Sequence, residues 1–377
     1  MSLPESATLE RRLVRIRESL DTLSLDALIV VDAANIRYLT NHVESAGILV
    51  LTRDGVHLLV DFRYEEAVRS LQISDAACPG LRMWPVPGSY DDALVSCLVE
   101  LGVSNVGFEA GHVTVARHEW LTRTLEARQA GLTLRSTERI VERARMVKDA
   151  AEVATLRESA ARLAPVVEAA FAAVRAGVTE RAVAGAIESA MRDAGFERIA
   201  FDTIVASGPH SALPHYRAGD RILTGGDLVV LDFGGIYDGY CCDLTRTVVV
   251  GLPTAEQKRV HGAVLEAQQA AIAAVMPGID ASAVDTAARA VLDRWGLGAA
   301  FGHGTGHGLG LDIHEEPRVT RPRPDVPAVA LEPGMVFTVE PGAYLAGWGG
   351  VRIEDDVLVT ASGCEVLTPG RRDLLAC

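Results

Sequence analysis

The chain has 377 residues, of which 49% are hydrophobic and 23% charged, a composition typical of a globular protein with a large core. This length predicts two domains or one large one. The formal net charge of −14 argues against a nucleic-acid partner, which would require a basic surface.

The N-terminal residues, "MSLPESATLERRLVRIRESL", contain early acidic residues and lack the apolar segment of a signal peptide. No apolar run approaches the roughly 18 residues needed to span a bilayer. The cysteines form no C-x-x-C pair, and Cys241 and Cys242 are adjacent, which favours a reducing compartment. We therefore expect a cytoplasmic protein with no membrane partner.

Up to about residue 140, helical and strand patterns alternate. Apolar residues at helical spacing mark "ERRLVRIRESLDTL", "EEAVRSL", "DDALVSCLVEL" and "VARHEWLTRTLEAR", whereas "ALIVV", "GILVLT" and "VHLLVD" are typical of strands. This alternation predicts an α/β domain. Asp32, His57 and Glu109 stand alone in this half, so we expect them to be structural and not catalytic.

The second half combines Ala-rich amphipathic helices with strand-rich blocks. The helices are predicted over residues 148–175, 179–194, 254–275 and 281–296. Segregated helices and hairpins indicate an α+β domain, and we place the boundary between residues 1–142 and 143–377. Lys148 and the charges around it predict a solvated helix face.

The segment "VVLDFGGIYDGYCCDLTRTVVV" predicts a β-hairpin that turns at Asp238-Gly239, a favoured type I′ pair. With a two-residue loop, Asp232 lies opposite Thr245, and Asp232 and Asp243 face the same side. Diagonal neighbours of this kind are about 7–8 Å apart, within joint reach of a metal pair. Two acidic side chains on an apolar hairpin repel each other unless positive charge lies between them.

Histidines and glycines are concentrated in "HGTGHGLGLDIHE", which contains His303, His307 and His314. Further along, "TVEPGAY" and "VRIEDD" each place one acidic residue, Glu340 and Glu354, within an apolar strand pattern. A single such acid normally marks a solvated strand face. Two of them together with the hairpin pair indicate a site rich in carboxylates.

These blocks resemble a known family. "LDFGGIYDGYCCDLTRT", "HGTGHGLGLDIHE", "VEPGAY" and "GVRIEDD" are similar, in the same order, to the motifs of the pita-bread metallopeptidases of the proline-peptidase branch. "IVASGPHSALPHY" resembles the substrate-binding histidine block of that family. The resemblance covers residues 145–370, and the N-terminal half is similar in size and pattern to a creatinase-type N-terminal domain.

The resemblance implies five metal ligands: Asp232, Asp243, His307, Glu340 and Glu354. Asp243 and Glu354 would bridge two ions, Asp232 would bind one of them, and His307 and Glu340 the other. His215 and His314 match histidines that contact substrate and stabilise the transition state, His303 is a further histidine of the same site, and Arg352 matches an arginine beside the bridging glutamate. His210 is a loop residue in this interpretation.

Four carboxylates and one imidazole form a hard donor set that suits Mn²⁺ or Co²⁺, and Fe²⁺ or Zn²⁺ less selectively. Two ions about 3.5–4 Å apart share a water, lower its pKa and polarise a carbonyl. Glycines beside His307 let the backbone pass close to such a site. We expect Glu340 to move a proton from the water to the leaving nitrogen.

Three alternatives remain open. One is a broad-specificity aminopeptidase of the same fold. The others are a metal-free creatinase-type amidinohydrolase and a pita-bread binding module without activity, although such modules lack several ligands. The Xaa-Pro peptidase interpretation itself covers dipeptidases and aminopeptidases, and it predicts short peptides as substrates and a homodimer.

Overall fold

A computed structural model describes residues 3–324 and 327–377. The chain divides into two compact units, Met1–Arg145 and Met146–Cys377. Within the described residues, the helices are too short or too polar to cross a lipid bilayer. The six cysteines are all free thiols.

A mixed six-stranded sheet forms the centre of the N-terminal unit, in the order β4-β3-β2-β1-β5-β6. Its elements are α1 (Ser6–Thr22), β1 (Ala27–Val30), α2 (Ala33–Thr40), β2 (Ile48–Thr52), β3 (Val56–Val60), α3 (Glu65–Gln72), β4 (Leu81–Pro85), α4 (Tyr90–Leu101), β5 (Asn105–Glu109), α5 (Val115–Ala127), β6 (Thr133–Thr137) and α6 (Ile140–Met146). Strands β1, β2 and β3 pair antiparallel, and the other pairs are parallel. The predicted α/β architecture is confirmed.

The polar residues expected to stand alone in this unit are engaged in its structure. The side chain of Asp32 caps α2 by accepting from Asn35 N, and Glu109 accepts from the backbone of Val31 and Asp32 and from Asn35 Nδ2. His57 Nδ1 accepts from Trp84 Nε1 at 3.1 Å. These bonds support the structural role expected for the three residues, although the contacts that join Asp32 to Glu109 could not be recognised from their separation in sequence.

The C-terminal unit contains three sheets and four long helices. Its elements are α7 (Ala150–Ala173), α8 (Glu180–Asp193), β7 (Arg198–Ile199), β8 (Ile204–Ser207), β9 (Leu228–Tyr237), β10 (Tyr240–Val249), α9 (Ala255–Ala274), α10 (Ser282–Arg294), β11 (Gly306–Gly308), β12 (Glu315–Val319), β13 (Val336–Val339), β14 (Gly342–Leu345), β15 (Gly349–Arg352), β16 (Asp355–Thr360) and β17 (Gly363–Val366). The four predicted helices are confirmed to within about two residues at each end, and the unit has the predicted α+β content.

Two apolar cores hold the sheets of this unit against its helices. Strands β9 and β10 pack on α7 and α8 through side chains such as Leu231, Phe233 and Leu244. The strands β13 and β16 pack on α9 and α10, with Phe337 and Val357 fully buried. Burial of this apolar surface is the main force that fixes the strand registers on which the polar site depends.

Lys148 does not lie on a solvated helix face, contrary to the prediction. It precedes α7, donates its backbone N–H to Gly334, and places Nζ 2.9 Å from Glu315 Oε2. Its side chain is 1% exposed and that of Glu315 is 7% exposed. Helical periodicity misplaced this charge because α7 begins only at Ala150.

Candidate metal centre

The hairpin of β9 and β10 supplies the first two carboxylates. Asp232 pairs with Thr245 and Asp243 with Gly234, as the two-residue turn predicted. Asp238 and Gly239 both have positive φ, 44° and 73°, which is the geometry of a type I′ turn. The opposite face carries the apolar side chains that pack on α7 and α8, so both aspartates face away from that core.

Three potential ligand side chains meet beside this hairpin. One ligand atom from each of Asp243, His307 and Glu354 lies within 4.8 Å of the other two, and all three residues are buried. Glu340 adjoins this group, since its Oε1 is 3.6 Å from His307 Nε2. Asp232 lies next to it on the hairpin. The structure therefore brings together the residues that the resemblance implied as ligands.

Glycines on both sides of His307 allow its strand to lie close to its neighbours. A Cβ at position 306 would lie 1.8 Å from the carbonyl oxygen of Thr338, and one at 308 would lie 2.1 Å from that of Glu316. His307 Nδ1 is 3.0 Å from the carbonyl oxygen of Gly308. A proton on Nδ1 satisfies this bond and leaves Nε2 as the acceptor that faces the carboxylates.

Glu340 and Glu354 lie at breaks between strands and not within strands, contrary to the prediction. Strand β13 ends one residue before Glu340, where Pro341 offers no N–H for a ladder bond. Strand β15 ends at Arg352, and the N–H of Glu354 donates to the carbonyl oxygen of Thr245. Leaving the ladder lets both side chains turn toward the hairpin.

Arg352 and Thr245 connect the acidic residues to each other. The guanidinium of Arg352 donates to Asp232 Oδ2 and, through Nε, to Thr245 Oγ1 at 3.1 Å. The hydroxyl of Thr245 donates in turn to Glu354 Oε2 at 2.6 Å. Arg352 also bonds the carbonyl oxygen of Pro214. This arginine is placed to hold several groups of the site in position.

Both ring nitrogens of His303 are engaged within the protein. Nδ1 lies 2.8 Å from the carbonyl oxygen of Gly304, and Nε2 lies 2.9 Å from the hydroxyl of Tyr344, which also accepts from Arg352. Burial lowers the pKa of His303 to about 4, so the ring is neutral. This arrangement suits a residue that shapes the site. Sequence analysis missed Tyr344, although it ends the quoted block "VEPGAY".

The acidic residues of this cluster repel each other. Burial, followed by repulsion from neighbouring carboxylates, raises the pKa of Asp243 and of Glu354 well above the ordinary values. Burial also raises the pKa of Glu340 to about 8. Burial lowers the pKa of His307 to about 3, so its imidazole is a neutral ligand. Divalent cations bound among these side chains would remove this repulsion.

Unpartnered atoms provide a further test of whether a metal fits. Oδ1 of Asp232 and Oδ1 of Asp243 are buried and, among the described residues, have no hydrogen-bond partner. Buried carboxylate oxygens are normally satisfied, because an unpaired polar atom is costly away from water. Together with the neutral Nε2 of His307, they form an oxygen-rich set that fits Mn²⁺ or a similar divalent ion.

A cavity of about 620 Å³ opens onto this cluster. His215 and His314 line it, and the ring of His314 packs edge-on against that of His307 with centroids 4.3 Å apart. The remaining wall has an apolar part, which includes Phe201, Ile204 and Pro214, and a charged part with the acid Asp202 and three arginines, Arg217, Arg318 and Arg323. The cavity is thus suited to a small ligand with an apolar part and a negative charge.

The chain is similar to known peptidases. It matches metallopeptidase family M24 over residues 154–361 and the creatinase/prolidase N-terminal domain over residues 12–147. It is 34% identical to a Xaa-Pro dipeptidase of Pyrococcus horikoshii over 369 residues, which cover 97% of this chain and 99% of that protein.

Solved structures give the same comparison. The Xaa-Pro dipeptidase from Bacillus anthracis superposes with a TM-score of 0.91 at 34% identity, covering 98% of this chain and 100% of the other. An X-Pro aminopeptidase from Thermotoga maritima superposes with a TM-score of 0.84 at 33% identity, covering 97% and 99%.

Proposed function

Since the chain belongs to metallopeptidase family M24, we propose that it is a dinuclear exopeptidase that removes the first residue of short peptides with proline in second position. Membership confirms the resemblance predicted from the motifs, including the creatinase-type N-terminal domain. The observation that carries the proposal is the buried group of Asp243, His307 and Glu354 at the wall of the cavity, with unpartnered carboxylate oxygens beside it.

We assign five side chains to two divalent ions, with Mn²⁺ or Co²⁺ preferred over Fe²⁺ or Zn²⁺: Asp232, Asp243, His307, Glu340 and Glu354. Asp243 and Glu354 would bridge the two ions, because each lies beside another of these side chains. When bound, the two ions lower the pKa of a water and polarise the scissile carbonyl. The complete ligand set argues against a metal-free amidinohydrolase and against a binding module without activity.

The protein's own side chains then handle the proton and the developing charge. Glu340 takes a proton from the attacking water and gives it to the leaving nitrogen, since its carboxylate lies at the ligand cluster and near the cavity. His215 and His314 donate to the substrate carbonyl and to the oxyanion that replaces it. Arg352 and His303 hold Asp232 and Tyr344 in place through the bonds described above.

The cavity wall supports proline specificity. Proline has no amide N–H, so a site for it needs an apolar surface where other peptidases offer an acceptor. Phe201, Ile204 and Pro214 offer such a surface. Arg318 also lines this cavity, and we infer that its guanidinium binds the free carboxylate of a dipeptide, which would favour dipeptidase over aminopeptidase activity.

A substrate panel tests this function. Ala-Pro, Ala-Pro-Ala, Ala-Ala and amidated Ala-Pro are compared at equal concentration after reconstitution with Mn²⁺ or Co²⁺. We expect Ala-Pro to be cleaved fastest and its amide slowly. Faster cleavage of Ala-Ala would establish the broad aminopeptidase instead, and no cleavage of any peptide would exclude a peptidase.

We further propose a cytoplasmic homodimer whose N-terminal domain, residues 1–142, mediates assembly. The free cysteines support the compartment. Exposed apolar side chains on the N-terminal unit, Phe62 at 82% and Ile73 at 90%, support an interface there. Light scattering coupled to gel filtration distinguishes a dimer from a monomer at once.

A further inference from the structure

Glu180 is a fully buried carboxylate at the first position of α8, remote in sequence from the metal ligands. It lies at 0% exposure, and burial of a carboxylate is costly unless several donors satisfy it. The donors that satisfy this carboxylate therefore indicate the structural role of Glu180.

Among the described residues, the hydrogen-bond partners of its carboxylate belong to one segment, residues 207–219, here called the His215 loop. Ser207 donates from its backbone N at 2.9 Å and from its hydroxyl at 2.7 Å. His210 Nδ1 lies 3.0 Å from the same carboxylate oxygen, Oε1, and Gly219 N donates to Oε2 at 3.3 Å. The hydroxyl of Tyr216 also donates to Glu180. One carboxylate therefore ties together both ends and the middle of the loop.

The His215 loop has little regular structure of its own. It contains one 3-10 turn, Gly208–Ala212, and short backbone bonds such as Tyr216 N to Leu213 O. His210 stacks on Tyr216, with ring centroids 4.3 Å apart and an interplanar angle of 29°. Pro214, His215 and Tyr216 line the cavity. The conformation of this part of the cavity wall therefore depends on contacts between the His215 loop and the rest of the protein.

On the cavity side, Arg352 links the loop to the metal centre. Arg352 NH1 donates to the carbonyl oxygen of Pro214 at 3.2 Å. Ser211 accepts from Gly350 N at 2.8 Å. The buried carboxylate of Glu180 binds the loop as well, so the loop is held by Glu180 and by strand β15. Burial tends to raise the pKa of Glu180, but the bonds from Ser207, His210 and Tyr216 outweigh it and lower that pKa, which keeps the anion charged.

We propose that Glu180 is a positioning residue that holds the His215 loop in the form that presents His215 and Tyr216 to the substrate. This inference rests on the proposed function for its kinetic consequence. The loop contains none of the five ligands, so losing its anchor weakens substrate binding and leaves metal binding intact. Loss of one bond to this charged group is expected to raise KM by about tenfold or more.

The test compares Glu180→Ala and Glu180→Gln with Glu188→Gln, a matched control on the same helix, all as full-length Mn²⁺-loaded enzyme. Hydrogen exchange of residues 207–219, bound Mn²⁺, kcat and KM for Ala-Pro are measured. We expect faster exchange confined to the loop and a KM increase of about tenfold or more in Glu180→Ala. Glu180→Gln retains one acceptor oxygen and should show a smaller effect, and the control none.

Two variants of His210 identify the bond that matters. His210→Asn keeps a donor near the position of Nδ1 but loses the stack on Tyr216, whereas His210→Phe keeps the stack and loses the donor. If Glu180 acts through its hydrogen bonds, His210→Asn retains a lower KM than His210→Phe. The reverse order would contradict the proposal, because the stack would then position the loop.

Failure of this inference is distinguishable from failure of the proposed function. Unchanged exchange in the loop of Glu180→Ala, or a loss of Mn²⁺ that parallels the loss of activity, overturns the role of Glu180. If the wild-type enzyme cleaves no peptide, the function is wrong and the exchange data alone decide the anchor. If Glu180→Ala does not fold, Glu180→Gln and Ser207→Ala give the same comparison.

Discussion

Thr245 donates its hydroxyl proton to Glu354, with 2.6 Å between Oγ1 and Oε2, and accepts at the same oxygen from Arg352. This one hydroxyl therefore orients a proposed bridging ligand and the arginine that binds Asp232. Supporting bonds of this kind tune the position and basicity of a ligand without touching the metal.

We expect Thr245→Val, which keeps the shape of the side chain, to lower Mn²⁺ affinity by about 10–100-fold. Isothermal titration of the metal-free protein measures this. Thr247→Val is a matched control, since the hydroxyl of Thr247 bonds the backbone of Arg352 and no carboxylate of the described site, so it should affect stability without affecting Mn²⁺ affinity. Equal affinities in the two variants would contradict the role of Thr245.

Glu340→Gln should lower kcat by about 10²–10⁴-fold with a much smaller change in KM, because the amide cannot carry the proton. Steady-state kinetics on Ala-Pro, with bound metal measured on the same sample, separates proton transfer from loss of a ligand. Glu332→Gln, an exposed change on the preceding loop, is the control. A variant with unchanged kcat would remove Glu340 from this role.

His314→Ala should retain its metal and lower kcat by about 10²–10³-fold, because it removes a donor to the oxyanion. His307→Ala should instead lose bound metal, since Nε2 faces the carboxylates. The pair is compared by elemental analysis and by kcat. If His314→Ala loses metal as His307→Ala does, the assignment of ligand and substrate histidines is wrong.

The features of this site that were predictable from the sequence are those set by contacts between residues close together in the chain. Strand alternation and a two-residue turn fix which side chains share a face, so the positions of Asp232 and Asp243 followed from local sequence. Glu340 and Glu354 were expected inside strands, because a strand break at Glu354 depends on a backbone bond to Thr245, about a hundred residues earlier in the chain.

Buried polar pairs were the least predictable feature. Lys148 and Glu315 form an ion pair across a long sequence separation, and nothing in the local pattern around Lys148 indicates burial. The same applies to Glu180, which appears in sequence as an ordinary helix-start acid and is recognisable as an anchor only when the His215 loop is placed beside it.

The metal-free protein should lose stability as the pH rises from about 6.5 to about 8, where buried carboxyls of the folded state still hold protons that the unfolded chain has lost. Burial and repulsion raise the folded-state pKa of Asp243, Glu340 and Glu354 above the unfolded values, that of Glu340 to about 8. The folded state then binds more protons than the unfolded state, so the free energy of unfolding falls as the pH rises through this window.

Titration of the histidines does not mask this loss of stability. The pKa of His307 and that of His303 are lowered on folding, so their slope has the opposite sign, but it is confined to pH values below about 6.5. Urea unfolding in chelator should show the decline, and saturation with Mn²⁺ should abolish it. A constant or rising stability in chelator would contradict the crowded carboxylates.

The most direct test of the central claim is a titration of metal-free protein with Mn²⁺ in which bound metal and hydrolysis of Ala-Pro are measured on the same samples. The account predicts negligible activity without metal and full activity at about two ions per chain. Asp243→Asn and Glu354→Gln should reach neither that stoichiometry nor that rate, whereas Asp238→Asn, at the turn of the same hairpin, should match the wild type. Full hydrolysis without bound metal, or in either of the two ligand variants, would contradict a dinuclear peptidase.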